Sequence, residues 1–137
     1  MAISELERKG IKREAEFLEH LGYTMIGEDP YIIEYQLNNI CIIIGYPPRE
    51  EFSDITIKFI KENSCFHMGW IAFVRSNIKG CDDKYINIKI LLDYIRENYI
   101  SVTDYQYCVE SDRLIDKYVD EHSEIFEKAV SDFLDKQ

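Results

Sequence analysis

Residues 31–46, YIIEYQLNNICIIIGY, decide the fold class because they carry the pattern of a β-hairpin. Ile33, Tyr35 and Leu37 alternate with a more polar face, as expected for a strand that is covered on one side. The two asparagines at 38–39 tolerate the positive φ that a tight turn between two strands requires. The return strand, residues 40–44, is apolar throughout, which predicts a strand that is central in its sheet or covered on both faces. Prolines at 47 and 48 then end the strand, because proline cannot donate to the ladder.

A second hairpin is predicted after these prolines. Ile55, Ile57 and Phe59 alternate with Thr56, Lys58 and Ile60, residues 61–64 form the turn region, and residues 66–74 return as a strand. That strand would place Met68, Trp70, Ala72 and Val74 on one face. Two consecutive hairpins predict a four-stranded antiparallel meander.

Helices are predicted on both sides of the hairpins. Ser4 and Glu7 match a capping box at the start of an amphipathic helix, whose clearest part spans residues 11–21 and stops at Gly22. A stripe of apolar residues at helical spacing predicts a second helix over residues 88–99, and a third is expected from Ser111 to the end of the chain. Residues 101–109 are ambiguous between a short strand and an irregular crossing. The predicted fold is therefore α+β, with an N-terminal helix, a four-stranded antiparallel meander sheet and two C-terminal helices packed on one face. Without a repeat or linker, residues 1–137 are expected to form one domain.

Composition excludes several classes of protein. The chain has 137 residues, 46% hydrophobic, and a net charge of −10 with a pI near 4.7. Such hydrophobicity predicts a folded domain, whereas the negative charge repels nucleic acid. The start has no signal-peptide pattern and no apolar run approaches the ~20 residues of a membrane span, so a cytoplasmic protein without a membrane partner is expected. The four cysteines are then expected to be free thiols.

No catalytic or metal-binding motif is evident. The six glycines are scattered singly, so they make no phosphate-binding loop, and no nucleophile motif is present. Cys65, His67 and Cys81 are zinc-ligand types, but they lack the spacing of a structural zinc site and a fourth ligand. His122 is expected to pack as a hydrogen-bonded histidine on the apolar side of the last helix. No catalytic residue, cofactor or metal is therefore predicted. A small enzyme with a pocket between the sheet and the last helix, containing His67 or Glu34, is kept as a weaker alternative.

The last 37 residues have ten carboxylates and four basic groups, for a net charge of −6. Solubility alone is one interpretation of this acidic helical end. The alternative is a surface that attracts a basic protein partner, since a complementary field accelerates association. Aromatic residues beside such a surface would act as anchors. The predicted partner-binding residues are Asp116, Asp120, Glu121, Glu124, Glu127, Tyr46, Tyr105 and Tyr107.

The arrangement of these segments resembles the small immunity proteins encoded beside bacterial polymorphic toxins. The resemblance lies in the leading helix, the hairpin ending in Gly45-Tyr46-Pro47-Pro48, the strands at 54–59 and 66–74 with Trp70, and the acidic helical end. It implies a non-enzymatic cytoplasmic protein that neutralises a cognate toxin by capping its active site. A self-associating structural or regulatory adaptor is the alternative.

Overall fold

The computed structural model describes residues 3–47 and 52–123 of the chain. In this part, helices pack on a five-stranded antiparallel sheet whose strands lie in sequence order, β1-β2-β3-β4-β5. The α+β class and the antiparallel meander are therefore confirmed, but the sheet has five strands where the sequence predicted four. The strands are β1 (Thr24–Asp29), β2 (Ile32–Leu37), β3 (Ile40–Gly45), β4 (Asp54–Phe59) and β5 (Ser64–His67). The helices are α1 (Glu5–Glu14), α2 (Glu16–His20), α3 (Met68–Ser76), α4 (Lys84–Glu97), α5 (Tyr99–Val102) and α6 (Tyr105–Glu121).

The first predicted hairpin is confirmed and forms the centre of the sheet. Leu37 pairs with Ile40 across the turn, and Asn38 takes the left-handed conformation with a φ of 52°. Strand β3 is central, because it pairs with β2 on one side and β4 on the other. Alternate residues of these strands are fully buried in the core that the sheet shares with the helices: Ile33, Tyr35, Ile42, Ile44, Ile55 and Ile57. The sheet therefore buries one face and leaves the other partly exposed.

The N-terminal helix begins at its predicted capping box. Ser4 Oγ accepts a hydrogen bond from the Glu7 backbone N–H at 3.1 Å and donates one to the Glu7 carboxylate at 2.8 Å. The helix is interrupted at Ala15, which separates α1 from α2, and Gly22 follows with a φ of 108°. Strand β1, which the sequence did not predict, then pairs with the free edge of β2.

The largest correction concerns residues 68–76, which form helix α3 and not the second half of a strand. Strand β5 ends at His67. The buried residues that follow are Met68, Ile71 and Ala72, and their spacing of three and four residues matches a helix that packs one face on the core. Residues 66–74 therefore change direction within the predicted strand, and the side chain of Trp70 lies on the helix.

Between residues 77 and 123, the described C-terminal part, there are three helices where two were predicted. Helix α4 covers most of the predicted apolar stripe and is capped by Asp83, which accepts the Ile86 N–H at 3.0 Å. The ambiguous residues 101–109 are largely helical, because α5 and the first turn of α6 occupy them. His122 follows α6 half-buried, and its Nδ1 lies 2.8 Å from the Tyr118 carbonyl oxygen. The predicted helix beyond residue 123 lies outside the described residues. Within residues 3–47 and 52–123, no helix is both long and apolar enough to cross a membrane.

Candidate binding site

An open apolar groove lies between α3, α4 and α6. Its volume is about 360 Å³. Trp70 is 38% exposed and Phe52 is 66% exposed, so large apolar side chains reach the solvent at this place. The groove is lined by Phe52, Ser53, Asp54, Gly69, Trp70, Phe73, Ile78, Lys79, Gly80, Asn87, Ile90, Leu91 and Tyr118.

Three aromatic rings of this lining hold one another in place. The centroids of Trp70 and Phe73 lie 6.1 Å apart, those of Trp70 and Tyr118 6.2 Å, and those of Phe73 and Tyr118 5.0 Å, all with edge-to-face geometry. Each such contact stabilises by ~0.5–1.5 kcal/mol beyond the area that it buries. His122 stacks on Tyr118 with a centroid distance of 4.0 Å. The aromatic wall is therefore already formed, and a ligand need not order it.

Asp54 supplies the carboxylate in the lining of the groove. Its Oδ1 accepts backbone hydrogen bonds from Ile55 at 2.8 Å and from Gly69 at 2.9 Å. The second bond satisfies an N–H in the first turn of α3, where the N-cap residue His67 supplies no side-chain acceptor. Gly69 suits this contact, because a Cβ there would lie 3.2 Å from Asp54 Oδ1. Burial raises the pKa of Asp54 above its ordinary value, an effect that the two N–H donors and His67 partly oppose.

The floor of the groove is fixed by the side chain of Asn87, which is almost fully buried. Its Nδ2 donates to the Ser53 carbonyl oxygen at 2.8 Å, and its Oδ1 accepts from the Cys81 backbone N–H at 3.1 Å. Ser53 Oγ in turn donates to the Lys84 carbonyl oxygen at 2.9 Å. Across the described residues, no buried side-chain nitrogen or oxygen lacks a hydrogen-bond partner. The loops on both sides of the groove are thus attached to α4, which preserves its shape.

Helix α6 carries a row of exposed carboxylates. Asp112, Asp116 and Asp120 are four residues apart, so they lie one above another along the helix. None of the three forms an ion pair with any residue of the ranges 3–47 and 52–123, whereas Glu121 lies 3.8 Å from the ammonium of Lys117. Burial and, secondly, the charge of Asp116 raise the pKa of Asp112. The row therefore concentrates negative charge, which the interaction with His67 offsets in part at Asp112.

The acidic residues predicted from the sequence are placed as exposed groups where the structure describes them. Asp116, Asp120 and Glu121 are all exposed on α6. Glu124 and Glu127 lie outside the described residues. The structure therefore brings together the first three on one helix.

Two of the predicted tyrosine anchors are packed against the protein itself. Tyr46 is 6% exposed, and its hydroxyl donates to the Glu7 carboxylate. Tyr105 is half-buried, with its ring edge-on to Phe59 at 5.4 Å and to Phe66 at 5.9 Å. Both side chains thus have structural partners within the chain.

The third predicted anchor, Tyr107, also contacts other side chains of the protein. Its hydroxyl lies 2.9 Å from the hydroxyl of Tyr94, and the guanidinium of Arg75 covers its ring at 4.2 Å from the centroid. Among the described residues of the groove, the exposed aromatic side chains are Trp70 and Phe52, which the sequence did not single out as anchors. The sequence signal that could have placed Trp70 on a helix is the helical spacing of the apolar residues after residue 67.

A second cavity, of about 300 Å³, lies between strand β5 and α6. Its lining does not include His67 or Glu34; His67 lines another cavity, of about 440 Å³, together with Tyr46, Asp54 and Thr56. The lining of the second cavity is Ser64, Cys65, Phe66, Tyr105, Val109 and Asp112. All four cysteines are free thiols. In the part of the chain that the structure describes, no three His, Cys, Asp or Glu side chains are grouped as metal ligands.

Comparison with family models, with curated proteins and with solved structures gives no match to this chain. Function is therefore inferred from the aromatic groove and the acidic row of α6. Both features lie on the surface, and both include residues of α6.

Proposed function

We propose that this chain is a non-enzymatic, cytoplasmic protein-binding domain that captures a basic protein partner through α6. A cognate bacterial toxin is the partner that fits the sequence resemblance to immunity proteins. The observation that carries the proposal is the row of Asp112, Asp116 and Asp120, which is exposed and has no ion-pair partner within the described residues.

Such a row favours an interacting surface over mere solubility, for an energetic reason. Like charges at i,i+4 on a helix destabilise it by ~0.2–0.5 kcal/mol for each pair, and Asp116 has such a neighbour on either side. Solubility needs net charge but not this spacing. A cationic surface that approaches α6 removes the repulsion, so part of the binding free energy comes from relief of an unfavourable arrangement in the free protein.

The proposed mechanism has two steps. The negative field first steers the partner into contact, which increases association rates by roughly 10- to 1000-fold at low salt. Exposed aromatic residues beside α6, chiefly Trp70 and Phe52, are then buried against the partner and determine how slowly it dissociates. In a complex with a toxin, the carboxylates would meet the cations with which the toxin binds its substrate, so the active site is capped.

The test uses a defined probe, namely the basic C-terminal domain of a large reading frame located upstream of the gene for this chain. The acidic row is neutralised in a variant with Asp112→Asn, Asp116→Asn and Asp120→Asn. A matched control changes the net charge equally at exposed carboxylates of α2 and α4, with Glu16→Gln, Glu19→Gln and Glu97→Gln. Association rates are measured by stopped flow at low and high salt.

The wild-type rate should fall about 100-fold between low and high salt, and the α6 variant should lose most of this dependence. The control should keep the greater part of it, because its charges lie on other helices. A rate that does not respond to salt, or an equal loss in both variants, would contradict the steering role of α6. A chromosomal neighbourhood without any such toxin domain would contradict the assignment of the partner.

A further inference from the structure

The groove combines two features that recur where proteins bind organic cations. Its wall presents the rings of Trp70, Phe73 and Tyr118, and its lining includes the carboxylate of Asp54. Aromatic faces attract cations through the ring quadrupole, and indole is the most effective of the common rings. We propose that the groove accepts the side chain of an arginine from the protein partner, with the guanidinium between the aromatic wall and Asp54. The identity of the partner rests on the function proposed above, whereas the chemistry of the ligand is testable without the partner.

Asp54 is suited to the charged end of such a ligand. Its Oδ1 is held by two backbone N–H donors, at 2.8 and 2.9 Å, so the carboxylate does not swing away. Its Oδ2 lies 3.9 Å from His67 Nδ1, and 35% of the side chain remains exposed. Oδ1 therefore has a structural role, while part of the Asp54 side chain remains accessible to a donor.

The shape and polarity of the groove favour arginine in particular. A volume of about 360 Å³ lies at the lower end of the range for small-molecule sites, which suits a single side chain. The apolar walls of Ile90 and Leu91 suit the methylene groups of an arginine, whose charged end alone seeks polar partners. The planar guanidinium both stacks on aromatic faces and donates to carboxylates, whereas an ammonium is more strongly hydrated.

Lys79 is the cation of the lining and opposes this ligand. The Lys79 side chain is exposed, so its ammonium remains hydrated, whereas Asp54 is held by its backbone hydrogen bonds. The repulsion from Lys79 weakens binding but does not remove the site. Lys79 also offers a second test, because removal of its charge should strengthen the binding of the guanidinium.

The chain contains a single tryptophan, so the fluorescence of Trp70 reports directly on the groove. The full-length protein is titrated with N-butylguanidinium, with butylammonium and with the neutral analogue N-butylurea. We expect a saturable change in emission with the guanidinium and roughly tenfold weaker binding of the urea, the factor expected from one charge-assisted hydrogen bond. Asp54→Asn should abolish this preference, because the amide keeps an acceptor for the backbone N–H groups but has no charge. Lys79→Ala should strengthen guanidinium binding several-fold and leave urea binding unchanged.

Several outcomes would overturn the inference. One is equal affinity for the guanidinium and the urea, and another is an Asp54→Asn variant that folds and keeps the preference. If Asp54→Asn does not fold, Lys79→Ala and Lys79→Glu replace it as test variants. A guanidinium affinity that is unchanged in both variants would then overturn the inference. A Trp70 that is inaccessible to acrylamide and unresponsive to all probes would mean that the groove is already filled. Sedimentation of such a protein as a dimer would identify a second copy of the chain as the occupant.

The two proposals fail separately. Guanidinium binding together with salt-independent association would refute the role of the acidic row and keep the arginine site. Salt-dependent association without any guanidinium preference would do the reverse.

Discussion

Replacement of Asp54 by alanine should destabilise the protein by about 2 kcal/mol, although Asp54 is not part of the hydrophobic core. Two backbone N–H groups, of Ile55 and Gly69, would lose their acceptor. Loss of a helix cap costs ~0.5–2 kcal/mol, and a buried donor without a partner costs ~1–3 kcal/mol. Because 35% of the Asp54 side chain is exposed, water replaces part of what is lost, which places the total near the middle of these ranges. For a domain of this size the Tm should fall by roughly 8 °C.

The matched variant Asp54→Asn should remain within about 0.5 kcal/mol of the wild type, because the amide oxygen still accepts both hydrogen bonds. Urea denaturation followed by far-ultraviolet circular dichroism measures both differences. Since burial raises the pKa of Asp54, the folded state binds its proton more tightly than the unfolded state. The wild type should therefore gain stability relative to Asp54→Asn as the pH falls through the raised pKa towards 3.8, the ordinary value of an aspartate. An alanine variant as stable as the asparagine variant would refute the capping role, and a pH-independent difference would refute the effect of burial.

Three further results are expected. Asp116→Asn should raise the free energy of unfolding by about 0.3 kcal/mol at low salt and by much less at high salt. The relief of two like-charged i,i+4 neighbours outweighs the lost i,i+3 attraction to Arg113. Urea denaturation at both salt concentrations measures this change. Tyr46→Phe should lower the free energy of unfolding by about 1 kcal/mol at neutral pH. The difference between the two proteins should shrink below pH 4.5, the ordinary pKa of a glutamate, because the Tyr46 hydroxyl holds the pKa of Glu7 below that value. The stability of both proteins is measured as a function of pH in the acid range, and equal pH dependences would contradict this expectation. Alkylation followed by mass spectrometry should modify the exposed Cys65 first and Cys108 last, because Cys108 is fully buried and burial raises its pKa to about 12; early modification of Cys108 would contradict its burial.

The parts of the fold that the sequence predicted are those with a local signal. The central hairpin has strict alternation in β2 and asparagines at its turn, and Asn38 indeed takes a positive φ. The capping box at Ser4 and Glu7 is likewise a contact between neighbours in the chain. Such features need no information from distant residues, so a single sequence is sufficient for them.

Strand β1 gives no such signal. Five of its six residues are exposed, so it lacks the buried alternation by which a strand is recognised. It forms because β2 has an unpaired edge and the chain leaving Gly22 returns along it with a bulge between Met25 and Gly27. The first turn of α6 was missed for a different reason: its cap is Asp104, which accepts the Gln106 N–H at 3.2 Å, seven residues before the expected start at Ser111.

The candidate site likewise has one part that the sequence predicted and another that it did not. The acidic character of α6 depends on composition, and the sequence placed Asp116, Asp120 and Glu121 on a helix. The proposed tyrosine anchors depended on which loops lie beside that helix, and this is a tertiary question. The sequence also put Trp70 on a strand, where the alternation Met68, Trp70, Ala72 fits equally well, so the aromatic groove was not foreseen.

What decides between strand and helix after His67 is a contact with a residue far away in the sequence. The apolar residues of this segment fit a period of two as well as a period near 3.6, so local pattern alone does not choose. Asp54 lies beside the first turn of α3 because β4 pairs with β5, and its carboxylate supplies the acceptor that His67 does not. The same carboxylate then becomes part of the groove that α3 forms with α4 and α6. A substitution that removes it should therefore weaken the helix and the cation site together, whereas Asp54→Asn, which keeps the acceptor and removes the charge, should separate the two effects.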